Sequence, residues 1–337
     1  MGNCLFTYSC IDDTFDNETV ITFQERKMKE VYINKNDANQ RLDKFITKYM
    51  PKLPQSMLYK GLRKNCVRIN GKHVKDASVF LKEGDVLYLY FKDEFFEDEK
   101  VFVPVKNNLN IVYEDENILL INKKSGTVVH SDDRGTENTL IEQIQSYLFE
   151  KGEYNPQNEH SFSPSLCNRL DRNTSGIIIA AKNAEALRIL NEKIRKREIR
   201  KIYLCIAEGI FNKKSGIMCD YLKRGNKKVS ISSKASDDAK YVELHYNVTE
   251  ENGDFSLVEV ELMTGRTHQI RAQFANAGHP LKGDKKYGGS KSPNYQELVS
   301  HRLIFDFKSE SGILSYLSGR EFSLPSCELM TLSHTNR

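Results

Sequence analysis

The first clear pattern of apolar positions covers residues 39 to 91. It opens with a helical stripe formed by Leu42, Phe45, Ile46 and Tyr49. Pro51 and Pro54 end that helix, and a second short helix, QSMLYKGLRK, follows. In VRINGKHV, Asn70-Gly71 lies between alternating residues and predicts a two-residue hairpin, and GDVLYLYF predicts a last strand. The pattern predicts a small α+β domain over residues 28–91.

From residue 105 to residue 325 the chain alternates between strand and helix patterns. Strands are predicted for ENILLINK at 116–123, GIIIAAK at 176–182 and KIYLCIAEG at 201–209. Helical spacing marks 139–150 and 184–194, and two alternating segments flank Asn252-Gly253 as in a hairpin. Hairpins mixed with helices predict an α+β domain whose sheet is largely antiparallel.

The remaining segments complete the domain plan. GRTHQIRAQFANAG predicts a helix that Thr267 caps at its N-terminus and Gly278 at its C-terminus. Residues 92–104 are predicted to form an acidic linker. Residues 1–27 predict a disordered tail without the features of a signal or transit peptide, and residues 326–337 a C-terminal tail.

Composition narrows the function classes. The longest apolar runs are strand-sized, so no membrane partner is expected. The formal net charge is only +4, but basic residues cluster at 191–203 and 213–228. One such run is usually a solvated helix face, and two in succession favour a polyanionic partner. Seven cysteines without a CxxC pair or a Cys/His cluster indicate reduced thiols in the cytoplasm and no metal site.

Three residues attract attention as candidate chemistry. Asp171, in NRLDRNTSG, precedes a predicted buried strand; the alternative is a surface carboxylate paired with a neighbouring arginine. Arg271 lies on a helix whose Ile270 and Phe274 face the core, a placement that can pair it with Asp171. Tyr203 is either an ordinary core tyrosine or an aromatic platform for a nucleobase.

The first domain resembles the S4 RNA-binding domain. Arg41-Leu42-Asp43, the hairpin VRINGK and Gly84-Asp85 carry this resemblance over about fifty residues. The alternative is a small domain that binds protein or nothing. As an S4 domain, it is expected to contact RNA through Arg41, Ser56, Lys60, Arg63 and Lys72.

The second domain resembles the RluA-type family of RNA pseudouridine synthases. The motifs that carry the resemblance, in order, are NKKSGTVVH at 122–130, NRLDRNTSG at 168–176, KIY at 201–203, GRTHQIR at 265–271, and Gly278-His279-Pro280 with Gly283-Asp284 and Tyr287-Gly288. Two positions depart from the family pattern: Asn168 replaces the usual histidine and Lys124 the usual proline. Neither position carries the nucleophile, so the chemistry is expected to be intact.

This resemblance implies a role for each site residue. Asp171 is the catalytic carboxylate, which either traps C1′ of the ribose or removes a ribose proton, and Arg271 is its partner. Tyr203 stacks on the uracil and is a candidate base for the C5 proton. Ile270 presses on the other side of the ring, and Arg169 takes the place of the flipped nucleotide. Arg266 and His268 are expected to contact the substrate.

The reaction needs no redox step or group donor, so neither cofactor nor metal is expected. The substrate implied is structured RNA, ribosomal RNA first and transfer RNA as the alternative, acted on by a cytoplasmic monomer. Rival interpretations are a non-catalytic RNA-binding protein on the same fold and, with less support, a glycosidase with a carboxylate pair.

Overall fold

The structure is a computed structural model that describes residues 27–96, 102–131, 135, 137–225, 228–291 and 293–325. The tails predicted at 1–27 and 326–337 lie outside these ranges, apart from residue 27. The chain divides into two compact units, Met1–Phe102 with Pro156–Phe162 and Val103–Asn155 with Ser163–Arg337. Among the described residues, every helix is too short or too polar to cross a bilayer.

The first unit is a small α+β fold. Its elements are β1 (Lys27–Tyr32), α1 (Leu42–Tyr49), α2 (Gln55–Arg63), β2 (Val67–Ile69), β3 (Lys72–His73) and β4 (Val86–Phe91). The strands pair antiparallel in the order β1-β4-β2-β3. The predicted helices, hairpin and last strand are confirmed, and β1 is an addition that the sequence pattern did not predict.

The core of this unit follows from the predicted stripe. Leu42, Phe45 and Ile46 of α1 are fully buried against α2 and the sheet. Within the predicted linker, Asp93–Phe95 form one turn of 3-10 helix, and Phe96 is buried in the same core. Residues 97–101 of that linker lie outside the described residues.

The second unit is built on one large sheet. Its helices are α3 (Leu140–Glu150), α4 (Ala184–Arg195) and α5 (Gln269–Asn276). Its strands are β5 (Ile111–Glu114), β6 (Ile118–Lys123), β7 (Ser165–Leu166), β8 (Ser175–Ala181), β9 (Ile199–Glu208), β10 (Ser215–Arg224), β11 (Val229–Ser232), β12 (Ala239–Glu251), β13 (Phe255–Leu262), β14 (Leu298–Phe305) and β15 (Glu321–Ser323).

The strand order confirms the predicted fold class. Nine strands run β11-β10-β12-β13-β9-β14-β8-β6-β5, with β15 added to β14 and β7 to β8. Every pair is antiparallel except β14 with β8. This is a mixed but largely antiparallel sheet, as the mixture of hairpins and helices predicted.

Helices cover both faces of the sheet, which is why β8 is an uninterrupted apolar run. Ile178 and Ala180 pack in one cluster with α3 and α5, and Ile177 and Ile179 pack in the other with α4. Burying each large aliphatic side chain contributes roughly 1.5–3 kcal/mol. Tyr203 of β9 belongs to the first cluster, so the site-bearing face is the one covered by α3 and α5.

Gly176, at the start of β8, permits the parallel contact between β8 and β14. It pairs with Ser300 of β14 and has φ +111. A Cβ at this position would lie 2.2 Å from the backbone oxygen of Ser300, far inside van der Waals contact. The glycine of the TSG sequence therefore lets β14 approach directly beside the loop that carries Asp171.

The predicted N-cap of α5 is wrong. Residue 268, rather than Thr267, is the N-cap, and this His268 has the left-handed conformation with φ 55. No side-chain oxygen caps the helix. Tertiary contacts of the His268 ring replace the local capping preference. At the other end Gly278, with φ 88, follows the last helical residues as predicted.

Candidate active site

Asp171 lies in the loop that connects β7 to β8. This loop is fastened to the segment after β6 at several points. Gly126 N donates to Arg172 O at 3.0 Å, and Ser125 Oγ donates to Asn173 O at 2.9 Å. The Asp171 side chain is 23% exposed, so the loop presents a half-open carboxylate on a fixed backbone.

A buried lysine beneath the loop strengthens this attachment. Lys123, at the end of β6, is 1% exposed, and its Nζ donates to Arg172 O at 2.8 Å. The same Nζ donates to the carbonyls of Lys124 and Thr127, each at 3.1 Å. Burial lowers the pKa of Lys123 to about 8, an effect that the charge of Asp171 partly offsets. Lys123 therefore ties the Asp171 loop to β6.

Arg271 joins Asp171 to a second carboxylate. Its Nη1 donates to Asp171 Oδ2 at 2.9 Å. Its Nε and Nη2 donate to the two oxygens of Asp284 at 2.7 and 2.9 Å, and Asp284 is 1% exposed. Burial alone would lower the pKa of Arg271, but hydrogen bonds and charge from Asp284 and Asp171 raise it. The fork-shaped guanidinium is thus locked on Asp284 and offers its remaining edge to Asp171.

His268 lies on the same side of Asp171 as Arg271. Its Nε2 is 3.7 Å from Asp171 Oδ2, and its Nδ1 is 2.9 Å from the hydroxyl of Tyr287. That hydroxyl accepts a hydrogen bond of 3.1 Å from Val229 N. Burial lowers the pKa of His268. Both close contacts of Asp171 fall on Oδ2, and in the described part of the chain Oδ1 accepts no hydrogen bond.

Tyr203 lies in the core beneath these groups. It is 5% exposed and lies directly opposite Ser300 of β14. The hydroxyl of Ser300 donates to Ile177 O at 3.1 Å. Burial, together with the charge of Asp171, raises the pKa of Tyr203 to about 12. Tyr203 is therefore a neutral phenol.

The remaining predicted substrate contacts are spread over the exposed rim and the core. Arg169 is exposed, and its charge adds to the effect of burial in lowering the pKa of His130. Arg266 is also exposed. Ile270 is 4% exposed and packs in the same cluster as Tyr203. The structure thus brings together Asp171, Arg271 and His268, and leaves both arginines of the rim open to solvent.

Asn168 has a structural partner. Its Oδ1 accepts a hydrogen bond of 2.8 Å from Ile179 N on β8, and its Nδ2 is buried without a hydrogen-bond partner among the described residues. Its contact lies on the strand side of the loop. The asparagine therefore fixes the base of the Asp171 loop.

The predicted RNA contacts of the first unit lie mostly on α2 and β3. Ser56, Lys60 and Arg63 are exposed at helical spacing on one face of α2, and Lys72 is exposed on β3. The two elements are adjacent, since the ring of His73 donates to Leu62 O at 2.7 Å. Arg41 instead forms a two-pronged ion pair with Asp43.

Three residues around Asp171 were not among the predicted site residues: Lys123, Asp284 and Tyr287. All three belong to motifs that the sequence analysis quoted, but their partners come from distant segments. Groups of His, Cys, Asp or Glu side chains that could hold a metal ion do not occur in the described ranges.

This chain matches two known domain families and resembles proteins named as RNA pseudouridine synthases. Residues 117–276 match the family described as RNA pseudouridylate synthase, and residues 40–87 match the S4 domain. An uncharacterized RNA pseudouridine synthase of Mycoplasma capricolum is 32% identical over 87% of this chain and 96% of its own length. The ribosomal large subunit pseudouridine synthase C of Escherichia coli K12 is 32% identical over 77% of this chain and 80% of its own length.

A solved structure shares the fold. The human RNA pseudouridylate synthase domain containing 4 superimposes with a TM-score of 0.51 at 19% identity, covering 64% of this chain and 88% of its own. The sequence-based assignments of the S4 and synthase domains are therefore confirmed.

Proposed function

We propose that this chain, which belongs to the RNA pseudouridylate synthase family, uses Asp171 to convert uridines of structured ribosomal RNA into pseudouridine. The chain is an RNA pseudouridine synthase with an S4 domain, and its substrate is RNA. The catalytic residue, the flipped uridine and the ribosomal substrate are the parts proposed here.

The observation that carries the proposal is the asymmetric contact of Asp171. Arg271 and His268 approach only Oδ2, so Oδ1 is left for the ribose. The N1–C1′ bond of uridine breaks, and the carboxylate either forms a bond to C1′ or removes a ribose proton. The uracil then turns, and C5 forms the new bond to C1′ as the carboxylate leaves C1′ or the ribose proton is returned. The C5 proton departs, and N1 takes up a proton. The atoms of substrate and product are the same, so no co-reactant is consumed.

The groups around Asp171 supply the binding surfaces for this reaction. Tyr203 and Ile270, from one cluster, receive the uracil on their site-facing surfaces. Arg169 is exposed on the Asp171 loop, where its planar cation can replace the flipped base in the RNA stack. As a neutral phenol, Tyr203 can take the C5 proton only if its own proton first leaves to solvent or to another base. Stacking is therefore its first role, and proton transfer the second.

The choice of ribosomal RNA rests on two observations. The relative in Escherichia coli is named for the ribosomal large subunit, and the S4 domain presents exposed Lys60, Arg63 and Lys72 on adjacent elements. We further propose that the protein acts as a cytoplasmic monomer.

The substrate is tested with RNA from cells that lack this gene. Purified ribosomal RNA and transfer RNA are incubated separately with the protein, and pseudouridines are then mapped by base-specific chemistry. The proposal predicts new pseudouridines in large-subunit ribosomal RNA and none in transfer RNA. Modification confined to transfer RNA would contradict the ribosomal assignment and leave the enzyme class standing.

A further inference from the structure

We infer that His268 positions Asp171. It does so as a neutral imidazole with its proton on Nε2, and Tyr287 holds it in that tautomer. The inference rests on the proposed role of Asp171 and replaces the predicted direct contact of His268 with the substrate. It concerns the tautomer and the orientation of one ring.

The backbone of His268 is the first observation. Its φ of 55 places it in the left-handed region, which is strained for a residue with a Cβ. No side-chain cap of α5 accounts for this conformation. What it achieves is to turn the ring between Tyr287 and Asp171, with one nitrogen toward each. Strained residues of this kind are concentrated at functional sites.

The tautomer follows from the hydrogen bonds of Tyr287. Its oxygen already accepts from Val229 N at 3.1 Å, and its only acceptor among the described residues is His268 Nδ1 at 2.9 Å. If Nδ1 carried the proton, the half-buried phenol would lose its one acceptor among the described residues. Tyr287 therefore donates to Nδ1, and a neutral ring carries its proton on Nε2.

The position of Tyr287 is fixed independently of His268. Its ring packs with Ala272 of α5 and with Leu222 and Val229 of the β10–β11 hairpin. The guanidinium carbon of Arg271 lies 5.2 Å from its ring centroid. Contacts with two elements thus hold the Tyr287 ring without any contribution from His268. Burial raises the pKa of Tyr287. It remains a proton donor throughout the neutral range.

The Nε2 proton points toward Asp171. The 3.7 Å separation from Oδ2 is longer than a hydrogen bond, and such contacts often shorten when substrate binds. Together with Arg271, this donor would fix the carboxylate plane so that Oδ1 faces the ribose. A neutral donor orients the carboxylate without adding a second full positive charge, which would make it a weaker nucleophile or base.

Other charged groups also face His268. Asp171 and Asp284 favour its protonated form, whereas Arg271 and Lys286 oppose it. Removing the Tyr287 hydroxyl leaves these charges in place but frees Nδ1. In Tyr287→Phe, protonation of His268 should then be easier and should fall closer to the ordinary range near pH 6.5.

The direct test is nuclear magnetic resonance of the full protein labelled with ¹⁵N-histidine, in which loss of a signal in His268→Gln assigns the ring. We expect an unprotonated Nδ1 and a protonated Nε2 in the wild type at neutral pH. A proton on Nδ1 would overturn the inference. This readout needs no activity, so it is separate from the failure of the proposed function, which would appear as a wild type that modifies no RNA.

Kinetics then separate positioning from RNA contact. His268→Gln keeps an amide donor near the place of Nε2, while His268→Asn tolerates the left-handed backbone but is too short to reach. We expect kcat to fall about tenfold or more in His268→Asn and to recover largely in His268→Gln, with KM nearly unchanged. A rise in KM with unchanged kcat in both would assign His268 to the RNA instead.

The pH profile of Tyr287→Phe tests whether the Tyr287 hydroxyl holds the tautomer of His268. We expect its kcat to decline on the acid side where the wild type does not, and the decline to vanish in Tyr287→Phe/His268→Gln. A uniform loss at every pH would mean that Tyr287 acts through packing alone and would overturn its tautomeric role.

Discussion

Arg271 Nη1 donates a hydrogen bond of 2.9 Å to Asp171 Oδ2 and joins two motifs that are 100 residues apart. The opposite edge of the guanidinium is bound by Asp284, whose carboxylate is buried. Because two of its hydrogen bonds are directed to Asp284, Arg271 cannot turn away from Asp171. The position of the Asp171 carboxylate therefore depends on Asp284, which acts on it through Arg271.

We predict that Arg271→Lys lowers kcat by at least about a hundredfold while RNA affinity changes little. Lysine keeps the charge but cannot bind Asp284 with two parallel donors and Asp171 with a third. Single-turnover rates and filter binding with the same RNA separate the two effects. The matched control is Arg200→Lys, at an exposed arginine that pairs through two nitrogens with Glu261, and this variant should retain most of its rate. Equal losses in both variants would contradict the positioning role of Arg271.

Removing Arg271 should also cost stability. Arg271→Met leaves the buried Asp284 unpaired, and we predict a loss of roughly 3–5 kcal/mol in the free energy of unfolding. Adding Asp284→Leu should restore part of that stability and none of the activity. Chemical denaturation measures the first and product formation the second. A double variant no more stable than Arg271→Met would show that the pair is not the source of the loss.

Lys123→Met should loosen the Asp171 loop. The substitution removes three hydrogen bonds to carbonyls, and we expect a loss of about 1–3 kcal/mol in stability together with a lower kcat. The exposed neighbour Lys124→Met is the control and should change neither quantity much. A normal kcat in Lys123→Met would contradict the attachment of the loop by this side chain.

Lys123 also predicts a pH dependence. Its folded-state pKa of about 8 is below its ordinary value, so folding disfavours its protonated form. This cost is complete below pH 8 and is relieved as the pH rises toward about 10.5. The stability of the wild type relative to Lys123→Met should therefore increase between pH 8 and 10. Unfolding curves of both proteins at pH 8 and pH 10 check this. An equal difference in the free energy of unfolding at the two pH values would contradict the prediction.

Gly176→Ala should abolish the native fold of the second unit. The new Cβ would overlap the backbone of Ser300, and we expect a cost above about 4 kcal/mol. Gly152→Ala is the control, because it shares a positive φ of 72 but has open space around it. Melting temperatures of the two variants check this. Similar values would show that β14 moves away from β8 at little cost.

Local signals predicted most of the fold. Thr139 begins α3 with a capping box, and Asn70-Gly71 turns the hairpin with φ values of 50 and 78. Strand β1 was not predicted because Val31 is the one apolar residue of KMKEVY on the side that faces the core. Its pairing with β4 also joins residues far apart in sequence. Its stability is a tertiary effect that a short window cannot contain.

The site was predicted to a similar depth. The motifs placed Asp171, Arg271 and Tyr203 together, and the Arg271–Asp171 pair is confirmed. Asp284 was quoted but given no role, because its partner is set by how α5 meets the following loop. The prediction of Thr267 as the N-cap of α5 was wrong for the same reason. The backbone there follows the tertiary contacts of the His268 ring rather than the local capping preference of the Thr267 hydroxyl.

The basic face of the S4 domain should contribute to RNA affinity through phosphate contacts. We predict that Lys60→Gln/Arg63→Gln weakens binding and lowers the slope of log K against log salt by roughly 0.7–0.9 for each phosphate that the variant no longer neutralises. The control is Lys240→Gln/Lys308→Gln, a pair of exposed lysines on β12 and after β14. Identical slopes for both pairs would contradict a specific role for α2.

The central claim is that Asp171 performs the isomerisation. The most direct measurement uses RNA carrying tritium at uracil C5, from cells that lack this gene, and counts the label released to water. The wild type should release tritium, whereas Asp171→Asn should bind the same RNA within a few-fold and release none. Release by Asp171→Asn at the wild-type rate would contradict the assignment.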